Sequence, residues 1–204
     1  EVHELLERLL VALINNPLAL IAATTPLILN HMKEQSARLD AEAAHRASEL
    51  KEANEIADNI SGNMDKLAYF SKEAMFAVIF RGVSSEQDQA LWKSYHDALT
   101  AWESNKTTAC AQTEMYFGVA NARRLEKIQS DFVTLKNQIN AAYYKRKTSK
   151  WFIEDKQGSK NDFRIKFIPL WNKLTDKMTD HSRNMIRQLQ DEEVGSLKPA
   201  NKDD

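Results

Sequence analysis

Residues 9–30 read LLVALINNPLALIAATTPLILN, a run of 22 without a formal charge, bracketed by Arg8 and His31. A bilayer core takes about 20 mostly apolar residues in a helix, so this length predicts one membrane crossing. The leader before it, EVHELLER, is acidic rather than basic, which disfavours a cleaved signal peptide. Within the run, Asn15-Asn16-Pro17 and Thr24-Thr25-Pro26 repeat a polar-polar-proline pattern nine residues apart. Each proline removes a backbone donor, and an amide in hydrocarbon needs a partner. Asn16, Leu20 and Thr24 fall near one helical face, as do Asn15, Ala19, Ala22 and Pro26. Asn15, Asn16, Pro17, Thr24, Thr25 and Pro26 are therefore the expected pore-lining or helix-packing set, with copies of the same helix as partners.

Working outward, Lys33, Arg38 and Arg46 follow the run, while Arg8 precedes it among Glu1, Glu4 and Glu7. The positive-inside rule then places the C-terminal portion in the cytoplasm, with the anchor in the inner membrane. The single cysteine, Cys110, allows no intrachain disulfide and agrees with a reducing compartment. Five Gly, four Pro and 28% charged residues mark a chain rich in helix formers. The stretch EQSARLDAEAAHRASELKEANEIADN is polar with a thin apolar stripe, which predicts an exposed helical stalk. From Ile56 the stripe thickens through Ile60, Met64, Leu67, Phe70, Ala74, Ala77 and Val78, and Arg81-Gly82-Val83 is the predicted end of that helix.

Three more helices follow. Ser85-Glu86-Gln87-Asp88 resembles a capped start, and the second helix carries Leu91, Trp92, Tyr95, Leu99 and Trp102 on one side, where they predict core. Gly118 is the predicted break before a third helix striped by Leu125, Ile128, Phe132, Leu135, Ile139 and Tyr143. A loop over 148–161 precedes a fourth helix capped at Asn161 or Asp162, and the tail GSLKPANKDD is expected to be disordered. The fold class is thus all-α: a transmembrane helix continuing into a long helix, then an antiparallel, four-helix-type bundle. The divisions are 1–31 anchor, 32–55 stalk, 56–190 bundle and 191–204 tail.

Motifs for chemistry are absent from the sequence. A di-metal bundle needs two inward Glu-x-x-His pairs, and Glu42-Ala43-Ala44-His45 has no second: Lys93 precedes His96 and Met178 precedes His181 at that spacing. There is no Cys-x-x-Cys, Gly-rich phosphate loop or nucleophile elbow. No catalytic residue, metal or cofactor is expected, and the chain does not read as an enzyme. Charge placement says more. From Ala141 to Gln190 there are 12 Lys or Arg against five Asp or Glu, although the whole chain is −1. Lys145, Arg146, Lys147, Lys150 and Trp151 form the densest part, and aromatics beside cations suit nucleic acid or an acidic protein partner.

One short constellation, Ser182-Arg183-Asn184-Met185-Ile186-Arg187-Gln188, resembles the Arg-Asn…His motif of the helical HEPN family of RNA-cleaving domains. The resemblance implies a degenerate RNA-binding helical domain in which Arg183 and Asn184 persist. Gln188 stands where the family's histidine belongs, which removes the expected acid–base group. In layout the chain also resembles accessory membrane proteins of bacterial defence systems, which join a short anchor to a cytosolic helical domain. The leading expectation is a self-associating single-pass pore or membrane effector. A membrane-attached four-helix sensor is the alternative.

Overall fold

The computed structural model describes residues 11, 17–81, 86–148 and 158–198; side chains at 17–24, 80–81, 145–148, 158–160 and 162–163 are not among those described. Among the described residues, four long helices carry the chain. Helix α1 spans Pro17–Phe76 and passes into a π-helical turn over Ala77–Arg81. Helices α2, α3 and α4 span Glu86–Phe117, Val119–Thr148 and Gly158–Gln190. A 3₁₀ turn over Gly195–Leu197 follows.

The chain divides into two units between Ser48 and Glu49. In the first, every described side chain from 25 to 48 is exposed. Short-range pairs decorate this helix: Asn30 Nδ2 donates to Glu34 Oε1 at 3.2 Å, and His31 Nε2 lies 3.0 Å from Gln35 Nε2. Such pairs contribute about 0.2–0.5 kcal/mol each, so they trim the helix rather than hold it.

The second unit is an all-α bundle. Its core runs from Ala53 through Ile60, Met64 and Leu67 on α1, Tyr95, Leu99 and Trp102 on α2, Leu125 to Ile139 on α3, and Leu174, Met178 and Met185 on α4. Cross-helix pairs give the topology. Trp92 stacks on Tyr143 with centroids 4.1 Å apart, and Trp102 meets Phe132 at 5.5 Å, so α2 and α3 are antiparallel. Asn121 bonds Gln188, and Lys177 pairs with Asp131, which makes α4 antiparallel to α3. Trp171 Nε1 donates to the Ala68 carbonyl at 3.3 Å and the Ser61 and Ser182 hydroxyls lie 3.0 Å apart, so α4 also runs against α1. Burying one Leu, Met or Phe fully is worth ~1.5–3 kcal/mol. This layered interior is what holds the bundle.

The turn between α2 and α3 is one residue, Gly118, at φ 86°. Its N–H donates to the Glu114 carbonyl at 3.0 Å, and its own carbonyl accepts from Asn121 N at 3.1 Å. That positive φ is why the break falls on a glycine.

Several expectations need correction. The fourth helix begins at Gly158, ahead of the polar caps proposed for it. The first helix does not end in an ordinary α turn but widens into the π-helical Ala77–Arg81. Residues 191–198 were expected in a disordered tail, yet they are ordered. Val194 is fully buried, Ser196 N donates to Glu49 Oε2 at 3.1 Å, and Lys198 Nζ donates to the Met115 carbonyl at 2.9 Å. One apolar residue and two polar ties outweigh a tail that looks hydrophilic. Among the described residues, no helix is long and apolar enough to cross a membrane. Residues 9–16 of the uncharged run, apart from Val11, lie outside the described residues.

Candidate functional site

Two places stand out from the rest of the molecule. The first is on α1. Leu27, Ile28, Leu29 and Met32 are 71, 57, 52 and 60% exposed. Successive helical residues point about 100° apart, so 27, 28 and 29 together span about 200° of the helix, wider than a single packing stripe. A helix that packs on one neighbour shows a single apolar stripe; one apolar on all sides calls for a surrounding apolar medium or several neighbours. Thr25 and Pro26 precede this cluster and are exposed as well. Pro17 opens α1 and Thr24 lies within it, but Asn15 and Asn16 lie outside the described residues.

The second is a pocket between α3 and α4, about 470 Å³ in volume. Arg124 and Lys127 come from α3, and Lys177, Asp180, His181, Arg183 and Asn184 from α4, over Ile128. The spacing explains the convergence: 124 and 127 lie on one face of α3, and 177, 180, 181 and 184 recur at three- and four-residue steps on α4. Arg124 is oriented by a relay. Asn121, itself buried, donates to the Phe117 carbonyl at 2.9 Å and to Gln188 Oε1 at 2.7 Å. Its own Oδ1 accepts from Arg124 Nη1 at 3.1 Å. Arg183 pairs with Asp180 at 3.2 Å, and Asn184 Nδ2 donates to the Asp180 carbonyl at 2.8 Å.

His181 forms the inner wall. The residue is fully buried, and neither ring nitrogen has a hydrogen-bond partner among the described residues. Burial, and then the nearby positive charge of Arg124, push its pKa down to about 4, so it is neutral at physiological pH. A neutral imidazole offers one donor and one acceptor, and leaving both unmatched in an interior is costly.

The resemblance-derived pair, Arg183 and Asn184, thus sits at the pocket, while Gln188 is engaged with Asn121. Of the basic stretch, the backbone of Lys145, Arg146 and Lys147 forms the last turn of α3, their side chains are not among those described, and Lys150 and Trp151 lie outside the described residues. Sequence reasoning passed over His181, although Leu174, Met178, His181 and Met185 share the spacing of one core stripe, with His181 its polar member. Among the described residues, no group of three or more His, Cys, Asp or Glu side chains is set to hold a metal ion. Cys110 accepts a bond from Gln129 Nε2 at 3.3 Å, and burial raises its thiol pKa, which leaves it the protonated, unreactive form.

No protein-family model, curated protein or solved structure matches this chain.

Proposed function

We propose that the chain is a single-pass membrane protein whose uncharged N-terminal helix lies in the bilayer and associates with copies of itself. The helical bundle then stands on the cytoplasmic side, and the whole acts as an oligomeric membrane effector of the pore or scaffold kind, with no enzymatic step of its own. The observation that carries this reading is the exposure of Leu27, Ile28 and Leu29 over more than half of the circumference of α1, inside a run that holds no charge from Leu9 to Asn30, with the exposed Met32 just beyond it. A hydrocarbon environment covers an apolar arc of about 200°, whereas one packing partner covers a narrower stripe.

The part of the run inside α1, Pro17 to Leu29, rises about 20 Å at ~1.5 Å per residue. The rest of a ~30 Å hydrocarbon core falls to residues 9–16. Asn30, His31 and Glu34 mark the return to polar surroundings, and Lys33, Arg38 and Arg46 set the orientation. Asn15 and Asn16 supply the reason for self-association, because amides in lipid find partners across helix interfaces worth roughly 0.5–2 kcal/mol.

Light scattering on the detergent-solubilised full chain, corrected for bound detergent, tests the assembly. A discrete oligomer of several chains that falls to monomer in the Asn15→Leu/Asn16→Leu double variant is expected. A monomeric parent, or an oligomer indifferent to that change, refutes self-association through the anchor.

A further inference from the structure

The bundle's α3–α4 pocket has a chemistry that the membrane reading does not use. Its lining carries four cations, Arg124, Lys127, Lys177 and Arg183, against one carboxylate, Asp180. Two of the cations are neutralised: Lys177 by Asp131, and Arg183 by Asp180. Among the described residues, Arg124 bonds the neutral amide of Asn121 and has no ion-pair partner, and neither has Lys127. Like charges gathered at one mouth repel, and nothing in the bundle's packing requires them there, since both Arg124 and Lys127 are exposed.

Beneath them lies the fully buried His181, with neither ring nitrogen matched among the described residues. Its ring nitrogens are closed off from solvent, so the neutral imidazole is a floor beneath the pocket rather than a donor at its mouth. Guanidinium, ammonium and amide groups here all present donors, and a phosphate presents several acceptor oxygens at once. The pocket, about 470 Å³, is within the range of small-molecule sites and exceeds what a lone phosphate needs. We propose that the α3–α4 pocket binds a phosphate-bearing small molecule, its phosphate held by Arg124 and Lys127 above the buried His181. The Gln188–Asn121–Arg124 relay makes Asn121 a positioning residue for that site.

The proposal concerns residues 121–188 and stands or falls separately from the anchor. Its test is a calorimetric and NMR titration of the full chain, in non-ionic detergent, with inorganic pyrophosphate at constant ionic strength. Saturable binding is expected, with the His181 imidazole signals moving along the same isotherm. Arg124→Gln/Lys127→Gln should weaken binding at least tenfold, while Lys166→Gln/Lys173→Gln, an equal change of charge at exposed positions of α4 outside the pocket, should change it less than twofold. Comparing dihexanoyl phosphatidic acid with glycerol 3-phosphate separates the ligand's source. At least tenfold tighter lipid binding, lost in the Arg124/Lys127 variant, assigns a lipid headgroup. Equal or weaker lipid binding assigns a soluble phosphate, and either result keeps the site. Equal loss in both double variants, unmoved His181 signals, or an effect that chloride reproduces at the same ionic strength would overturn the proposal.

Discussion

Helix α1 contains two regions that share a secondary structure and differ in almost everything else. Between residues 53 and 76, Ala53, Ile56, Ile60, Met64 and Leu67 are buried and cross-helix bonds tie the helix to α4. Between residues 25 and 48, every side chain is exposed, Leu39 at 65% among them. Isolated helices of modest length are marginal in water, and tertiary packing ordinarily supplies most of their stability. The bundle half has that support from its own chain. Among the described side chains of residues 25–48 none is buried, and Leu27, Ile28, Leu29 and Met32 are apolar and exposed.

The comparison can be broken most forcefully in the core. Leu125 is fully buried, so Leu125→Ala should lower the unfolding free energy by about 2–5 kcal/mol, whereas Leu39→Ala should leave it within ~0.5 kcal/mol. Denaturant melts of the two variants measure this, and equal losses would remove the distinction between the regions.

The buried histidine gives the next largest effect. Its folded pKa, about 4, lies below the ordinary value of 6.5, so between those values the unfolded chain binds the extra proton. His181 therefore adds a positive slope of stability against pH: no penalty is felt above about pH 6.5, and stability falls as pH drops towards 4. The total is on the order of 3 kcal/mol at ~1.4 kcal/mol per pH unit. His181→Leu should flatten the melting curve in that window while carboxylates keep their own, lower-pH loss. An unchanged slope would show that His181 is not held neutral.

Gly195 sharpens the boundary of the bundle. It sits at φ 52°, and a Cβ there would come within 1.9 Å of Glu49 Oε2. Gly195→Ala should lower stability by about 1–2 kcal/mol, read by thermal melting, because the backbone strain adds to displacement of the Glu49–Ser196 tie. A silent substitution would mean that residues 191–198 contribute little after all. The smallest effect belongs to the exposed Lys51–Glu55 pair, 3.8 Å apart, where Lys51→Ala should change stability by less than ~0.5 kcal/mol.

Much of this architecture was readable beforehand because it is written in apolar period. The stripes through Ile60, Met64 and Leu67, and through Leu125, Ile128, Phe132, Leu135 and Ile139, lie in the core as expected. Gly118 marks the predicted break because a positive φ selects glycine. The site was less legible. A buried His181 and a buried Asn121 look in sequence like surface residues, since burial of a polar side chain is decided by neighbours far along the chain. The tail misled for the opposite reason: one buried valine, Val194, is too weak a signal against a polar background. The Arg183–Asn184 pair drew notice through a resemblance, while the cations that surround it in space, Arg124 and Lys127, lie some 60 residues earlier.

The measurement that meets the central claim most directly is membrane partition of the full chain expressed in bacteria, after alkaline carbonate extraction. The account predicts that the parent stays with the membrane pellet, and that Leu27→Asp/Ile28→Asp/Leu29→Asp moves it to the supernatant with the bundle's helical signal intact. A parent chain released by carbonate, or a triple variant that stays in the pellet, would contradict a membrane-spanning anchor.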